Sequence, residues 1–166
     1  MIPDVNENRE WLALVKEQEQ ALSFDSFSQN DAIQFVQNCI QLANSQYKKS
    51  VAAGVFLDNT LTALAMMDGT NLHNQLSLVA KRNVSAKTGE SSMMTFLKIR
   101  FGLTDQEAWA TESGNTMVCG GCFPIVIQGT ICGFAAVSNM THEEDHQLCA
   151  DALAMIMNAK IASILT

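Results

Sequence analysis

Charged residues are scarce in this chain of 166 residues, at 16% of the sequence, and basic residues are scarcer than acidic ones. Ten lysines and arginines against seventeen aspartates and glutamates give a net charge of −7, which repels nucleic-acid backbones and anionic lipid surfaces. No apolar run approaches the roughly 20 residues that a membrane-spanning helix requires. We therefore expect no nucleic-acid partner and no association with a membrane.

The sequence also lacks the features of an exported, disulfide-bonded protein. Its first residues, Met1 to Asn8, contain neither the basic region nor the apolar region of a signal peptide. The five cysteines are an odd number, and a chain of this length buries enough surface to fold without disulfides. An apolar fraction of 48% excludes a disordered chain. These features predict a folded, cytoplasmic protein with reduced thiols.

No linker, internal repeat or low-complexity stretch divides the chain, so we expect residues 1–166 to form one domain, with residues 1–24 as an N-terminal helical extension. The spacing of apolar residues predicts helices over Glu10–Leu22, from the Ser28 cap to about Tyr47, over Leu72–Ala86, over Ser91–Arg100, and from Thr141 with inward positions as far as Ala162. A capping box at Thr104–Glu107 predicts a short turn that carries Trp109.

Two pairs of short apolar runs break this helical period and predict β-hairpins. The first pair turns at Asp58-Asn59 and the second at Gly129, and Gly133 is expected at a bulge or a close backbone contact. The predicted strands are Val51–Leu57, Leu61–Met67, Phe123–Ile127 and Thr130–Val137. Antiparallel strands separated by helical blocks indicate an α+β fold in which helices cover the sheet.

Two sequence blocks carry a family resemblance. The segment from Cys119-Gly-Gly-Cys-Phe-Pro-Ile to Glu143-Glu-Asp-His146 resembles the "HGGxFPI … eeDH" signature of the heme-degrading-domain family, which includes the HbpS-like and GlcG-like proteins. Upstream, Lys81-Arg82-Asn83-Val84 and Gly89-Glu90-Ser91-Ser92 resemble a block that ends in "GHSS". The resemblance covers roughly residues 10–160. It implies a profilin-like sandwich, in which an antiparallel sheet of about five strands carries helices on both faces.

The same resemblance implies a homo-oligomer that binds a small-molecule ligand, which in some members is heme. Two positions depart from the family pattern, because Cys119 replaces the histidine of "HGG" and Glu90 replaces that of "GHSS". Heme iron requires a histidine, cysteine, methionine or tyrosine donor, so the loss of two imidazoles predicts weak heme binding and little or no heme degradation.

The Cys119/Cys122 pair has three interpretations. It is a redox dithiol, part of a metal site completed by donors such as Cys132, His142 and His146, or a pair of buried apolar side chains where backbones approach closely. We favour the third, because the segment leads into a strand rather than a helix and no second CxxC motif is present.

The remaining candidates also have a structural alternative. Asp145 and His146, one turn into the last helix, act either as a ligand-binding pair or as a stabilised helix start. Lys81 and Arg82 either hold a carboxylate, such as a heme propionate, or belong to a solvated helix face. The Ser91-Ser92 hydroxyls are better placed to cap a helix than to act as nucleophiles, since no nucleophile-elbow motif surrounds them.

We therefore predict an oligomeric small-ligand-binding domain with weak or no heme-degrading activity. The candidate ligand-binding residues are Lys81, Arg82, Glu90, Ser91, Ser92, Cys119, Gly120, Gly121, Asp145 and His146; the weak metal-ligand candidates are Cys119, Cys122 and His146. Paired methionines such as Met66-Met67 and Met93-Met94 predict subunit contacts. The alternatives are an oxidoreductase that uses the Cys119/Cys122 dithiol or acts on heme, and a colourless adaptor or assembly protein.

Overall fold

The computed structural model describes residues 5–105 and 115–165, with side chains from residue 9 onward. Its helices are α1 (Val5–Ala21), α2 (Gln29–Leu42, continued by a π-helical turn over Ala43–Tyr47), α3 (Leu72–Thr88), α4 (Ser92–Arg100) and α5 (His142–Ile156). Its strands are β1 (Ser23–Phe24), β2 (Ala52–Leu57), β3 (Thr60–Met66), β4 (Cys122–Ile127) and β5 (Thr130–Ser138). None of the helices in the described ranges is long and apolar enough to cross a membrane.

The five described strands form one sheet in the order β1-β4-β5-β2-β3. The two predicted hairpins, β2–β3 and β4–β5, are antiparallel, and they join through an antiparallel β2–β5 pair in which Gly54 lies opposite Ala136. The strand β1 was not predicted and pairs parallel with β4, so the sheet is mixed rather than wholly antiparallel. Two residues are too few to show the alternation of buried and exposed side chains that predicts a strand. The strand β1 is defined instead by its pairing with β4, which is distant in the sequence.

Helices cover both faces of this sheet. One face packs against α2 and α5 and forms the larger core, with the inward residues Ala53, Val55, Phe123, Ile125, Ala135 and Val137. The other face packs against α3, where Leu78 meets Ala52, Phe56, Cys122 and Ala136. Alternate residues of each strand therefore serve opposite faces, as the pleat requires. The predicted α+β fold with helices on both faces is confirmed.

Both hairpins turn through left-handed residues, as the sequence predicts. Asp58 and Asn59 have φ of 49° and 58°, and Gln128 and Gly129 have φ of 48° and 80°, which is the geometry of tight hairpin turns. At Gly133 a side chain would collide with the backbone of Phe56, so the predicted close contact is confirmed.

The last helix is shorter than predicted, because α5 ends at Ile156 rather than running to Ala162. Asn158 adopts a left-handed conformation with φ of 52°, which stops the helix. The following residues turn back, and Ile164 joins a small apolar cluster with Val15 of α1 and Leu97 of α4. The predicted turn around Trp109 lies outside the described residues.

Candidate functional site

A cleft of about 310 Å³ opens between α3, the loop before β4 and the start of α5. Its described lining is His73, Asn74, Ser77, Lys81, Met117, Cys119, Ser138, Asn139, Met140, His142 and Asp145. Three of the predicted site residues, Lys81, Cys119 and Asp145, therefore meet at one cavity. Most of the lining residues are of polar types, and they include both charged residues of a buried ion pair.

That ion pair joins α3 to α5 beside the cleft. Lys81 Nζ lies 3.0 Å from Asp145 Oδ2, and the two side chains are only 2% and 3% exposed. Lys81 also donates to the carbonyl of Val137 at 2.8 Å, and Asp145 Oδ1 accepts from the amide of Met140 at 3.1 Å. Burial raises the pKa of Asp145 to about 6, although the Lys81 ammonium opposes that rise. The two buried charges have lost their hydration, and only their mutual contact and their hydrogen bonds compensate for that loss.

Gly120 and Gly121 bring the loop before β4 close to its neighbours. A side chain at Gly120 would collide with the backbone of His142, and one at Gly121 would collide with the Val137 carbonyl and the Lys81 ammonium. Gly121 also has φ of 127°, which other residues rarely adopt. The space beside both glycines is occupied by protein, so their absent side chains serve the packing of the loop on α5 and Lys81.

His142 lines the cleft, although the sequence indicated it only as one of several further donors to a metal site at Cys119 and Cys122. Its Nδ1 accepts from the Gly120 amide at 3.1 Å, and its Nε2 lies 3.1 Å from Glu143 Oε1. The ring meets Phe96 edge-on at 4.7 Å between centroids. Burial, the largest influence, lowers the pKa of His142. Because Nδ1 accepts from the Gly120 amide, the ring proton lies on Nε2 and the Nδ1 lone pair is engaged.

His146 lies one turn further along α5, outside the cleft and fully buried. Its Nε2 lies 2.7 Å from Oε1 of Gln18, a residue of α1. The Gln18 amide nitrogen donates to the Ala162 carbonyl and to Gln147, so its oxygen accepts and His146 carries its proton on Nε2. His146 Nδ1 is buried with no hydrogen-bond partner. Burial lowers the pKa of His146 to about 3, and His142 adds to the effect.

The Glu90-Ser91-Ser92 block also lies outside the cleft. Ser91 caps α4 by accepting from the Met94 amide at 3.2 Å, which confirms the predicted capping role. Ser92 accepts from the Cys122 amide at 3.0 Å and so ties α4 to β4. Glu90 pairs with Lys98 at 2.6 Å. These residues anchor α4 to its neighbours.

Arg82 points away from its neighbour Lys81. Its guanidinium lies over the Phe56 ring at 4.8 Å, and its Nε is buried without a hydrogen-bond partner. Successive residues of a helix face directions about 100° apart, which explains why Arg82 reaches the sheet and not the cleft.

Burial disfavours the thiolate form of both thiols in the Cys119-Gly-Gly-Cys122 segment. Burial raises the pKa of Cys119, against the opposing Lys81 charge, and it raises the pKa of the fully buried Cys122 to about 12. A thiol needs thiolate character to attack or to bind metal. All five cysteines are free, and the described residues contain no cluster of three or more histidine, cysteine or acidic side chains able to hold a metal ion.

A known protein family matches most of this chain. Residues 27–154 match the model of the family described as "Haem degrading protein HbpS-like". The chain belongs to this HbpS-like family. A UPF0303 protein of Rhizobium etli is 30% identical over 151 residues, covering 88% of this chain and 89% of the relative. A UPF0303 protein of Streptomyces avermitilis is 28% identical over 142 residues, covering 84% and 86%.

Several solved structures share this fold at low sequence identity. The crystal structure of the Ybr137w protein superposes with a TM-score of 0.77 at 20% identity, covering 89% of this chain and 87% of the other. A PduOC–heme complex superposes with a TM-score of 0.69 at 17% identity, covering 78% of this chain and 94% of the other. HbpS superposes with a TM-score of 0.65 at 15% identity, covering 79% and 89%. The resemblance found in the sequence is confirmed.

Proposed function

We propose that this member of the HbpS-like family binds a small polar ligand in the cleft between α3, the Cys119–Gly121 loop and the start of α5. The buried Lys81–Asp145 pair carries this proposal. Burying two charges costs free energy, and a pair of apolar side chains of similar volume is often at least as stable. A costly charge pair beside a concave cavity that combines polar and apolar surface is typical of a binding site, where polar groups orient a ligand.

The rim of the cleft provides groups that a ligand can engage. The Asn74 amide nitrogen lies 3.5 Å from Ser138 Oγ and 3.3 Å from Asn139 Oδ1, both near the long limit for hydrogen bonds. A bound hydroxyl, amide or carboxylate forms shorter bonds with the same groups. Because Lys81 and Asp145 neutralise each other, the cleft favours a ligand with hydrogen-bonding groups and little net charge.

We propose that heme is a poor ligand for this cleft as folded. One solved structure of the same fold is a PduOC–heme complex, and heme iron requires a donor with a free lone pair. Both His142 nitrogens are engaged, burial raises the pKa of the Cys119 thiol, and His146 is sealed beneath α1. The other donors among the described residues that line the cleft are His73, which is exposed at its rim, and the thioethers of Met117 and Met140. We therefore expect weak heme binding and no heme degradation at this site.

A heme titration tests this expectation. Purified wild-type protein and the variants Cys119→Ala, His142→Ala and His146→Ala are titrated with hemin, and the Soret absorbance is followed. We expect weak binding that is the same in all four proteins. A stoichiometric Soret band in the wild type that one of these substitutions abolishes would contradict the proposal.

We also propose that the protein is a homo-oligomer. Apolar side chains are exposed along β3 and the first turns of α3, including Leu64 and Met66 at 38% each, Leu72 at 66% and Leu76 at 57%. Exposed apolar surface on β3 and α3 does not stabilise a single domain, whereas a subunit contact would remove it from water. The Met93-Met94 pair that the sequence assigned to subunit contacts is instead buried between α1 and α4.

A cytoplasmic location remains part of the proposal. It is supported by the five free cysteines, which a reducing compartment preserves. The adaptor alternative is separated from the homo-oligomer by sedimentation, because a monomer at micromolar concentration leaves the β3–α3 surface free for another protein.

A further inference from the structure

We propose that a second cavity, between α1 and the outer edge of β4, binds a small zwitterion with an apolar side chain, such as an apolar amino acid. This edge cavity has a volume of about 280 Å³ and shares no described lining residue with the cleft. Its lining includes Lys16, Glu19, Leu22, Gly89, Pro124 and Val126. The α1 wall precedes residues 27–154, so the family match does not describe this site. The proposal does not depend on the proposed function of the cleft.

The edge cavity exists because β1 is short. Among the described strands, only β1 borders β4 on this side, and its two residues pair with Val126 and Ile127. The earlier part of β4 therefore has no strand beside it. Pro124 lies in that part, where a proline is tolerated because no neighbouring strand requires an amide hydrogen from it. Residues of α1 form the opposite wall, and the space between helix and strand edge is the cavity.

The α1 wall of the edge cavity carries two opposite charges that do not contact each other. Lys16 and Glu19 are three residues apart on α1, a spacing that places both side chains on one face of a helix. Neither forms an ion pair with any described residue, although Glu90 nearby pairs with Lys98 at 2.6 Å. A ligand that carries both an ammonium and a carboxylate can neutralise both wall charges, whereas a ligand with one charge satisfies only one of them.

The start of α4 holds the Glu19 carboxylate in place. Its Oε1 accepts from the amide of Ser91 at 2.6 Å, and Ser91 is fully buried. Burial raises the pKa of Glu19 more than the hydrogen bonds with Ser91 lower it, and the charge of Glu90 raises it further. The surroundings therefore compensate the negative charge of Glu19 only in part. A ligand ammonium beside this carboxylate would supply the missing compensation through a charge-assisted hydrogen bond.

The remainder of the lining is mainly apolar and favours an apolar side chain on the ligand. Leu22, Phe123, Pro124 and Val126 offer no hydrogen-bonding side chain to a bound molecule. The volume of about 280 Å³ lies just below the roughly 300–1,000 Å³ of drug-sized sites. A ligand of amino-acid size therefore fits the edge cavity better than a large, flat cofactor does.

Three compounds that share one branched side chain test the proposal on the wild type. Leucine carries both charges, isoamylamine keeps only the ammonium, and 4-methylpentanoate keeps only the carboxylate. Each is titrated into ¹⁵N-labelled protein at about pH 7.5. We expect leucine to give saturable shifts at the amides of Gln20, Gly89 and Val126. Isoamylamine should bind about two- to fivefold more weakly, because Lys16 is exposed and its ion pairs are weak. We expect no saturable shift with 4-methylpentanoate.

Substitutions on α1 separate the two wall charges. Glu19→Gln keeps an oxygen that accepts from the Ser91 amide but removes the negative charge, so the affinity for leucine should fall at least about tenfold. Lys16→Gln should lower the affinity for leucine about two- to fivefold and should not weaken the binding of isoamylamine. Glu17→Gln, at an exposed position of α1 outside the lining, is the matched control and should change neither affinity.

Four results would overturn the proposal. The first is the absence of saturable shifts with leucine in the wild type, and the second is binding of 4-methylpentanoate as tight as that of leucine. Both are measured without a variant, so they decide the matter even if Glu19→Gln does not fold. The third is an affinity for leucine that Glu19→Gln leaves unchanged. The fourth is a set of leucine-induced shifts confined to Cys119, Ser138 and Met140, which would assign leucine to the cleft instead.

Discussion

Replacement of Lys81 by methionine should destabilise the protein strongly. The substitution keeps the length and apolar stem of the side chain but removes the ammonium that contacts Asp145 at 3.0 Å and the Val137 carbonyl at 2.8 Å. Asp145, 3% exposed, would retain only the Met140 amide as a partner. Removing one member of a buried ion pair typically costs about 3–5 kcal/mol, which is a large fraction of the 5–15 kcal/mol that usually stabilises a domain.

The loss should depend on pH in a defined direction. Burial already raises the pKa of Asp145 from 3.8 to about 6, and without Lys81 the pKa rises further because the opposing charge is absent. A carboxyl whose pKa is higher in the folded state binds a proton on folding, so it weakens stability as the pH rises from its unfolded value through its folded value. Lys81→Met should therefore be less stable at pH 8 than at pH 5, relative to the wild type.

Urea unfolding followed by far-ultraviolet circular dichroism measures both effects, with Asp145→Asn and the double variant completing a cycle. Each single substitution leaves a buried group without its partner, whereas the double variant removes both charges. The double variant should therefore lose at least about 2 kcal/mol less than the sum of the two single variants. Single losses below about 1 kcal/mol, or additive losses, would refute the view that this pair is a coupled, buried element.

The remaining predictions concern the buried histidine, the glycine loop, the substituted motif and the assembly. Acid should unfold the wild type more readily than the His146→Gln variant, because folding lowers the pKa of His146 from 6.5 to about 3. The stability present above pH 6.5 is therefore lost as the pH falls toward 3. The loss reaches about 4–5 kcal/mol at about 1.36 kcal/mol per pKa unit. Equal acid midpoints in circular dichroism would contradict this. Gly121→Ala should lower the free energy of unfolding in urea by at least about 2 kcal/mol, because the added methyl group would meet the Val137 carbonyl and Lys81 at a backbone φ of 127°. An unchanged free energy of unfolding would show that the loop can shift. Cys119→His should strengthen heme binding in a Soret titration, because Cys119 lines the cleft. Glu90→His should not, because Glu90 lies outside the cleft and pairs with Lys98. An equal response to both substitutions would be inconsistent with this placement. Sedimentation at micromolar concentration should show an assembly larger than the 18.1 kDa monomer. The double substitution Leu72→Glu/Leu76→Glu should shift this assembly toward the monomer. A wild-type protein that sediments as a monomer would contradict the proposed subunit contact.

Local chemistry explains why most of the fold was readable from the sequence. Asp58, Asn59 and Gly129 are residue types that tolerate left-handed backbone, so both hairpins could be placed from their turns. In contrast, β1 exists only through its pairing with Val126 and Ile127, about a hundred residues later in the chain. The end of α5 was missed because small apolar residues continue at helical spacing beyond Ile156, although Asn158 turns the chain.

The candidate site was readable only in part, because residue types do not show which side of a helix is covered. His142 and His146 are four residues apart on α5, so the sequence places both on one face. In the structure α1 covers His146 through Gln18, whereas His142 borders the cleft. That difference depends on a contact between residues 18 and 146, which no local pattern encodes. Lys81 and Arg82 show the same limit, since only the packing of α3 decides which of them reaches Asp145.

The most direct test of the proposed function is a titration of the ¹⁵N-labelled protein with small neutral amides and polyols, and separately with hemin, followed by amide chemical shifts. We expect saturable shifts with at least one small polar compound, centred on the backbone amides of Ser138, Cys119 and Met140 and absent in His73→Trp, which blocks the exposed rim of the cleft. Hemin should shift these amides only when it is in large excess over the protein, as weak binding requires. Stoichiometric hemin binding that shifts them, with no response to any small polar compound, would contradict the account.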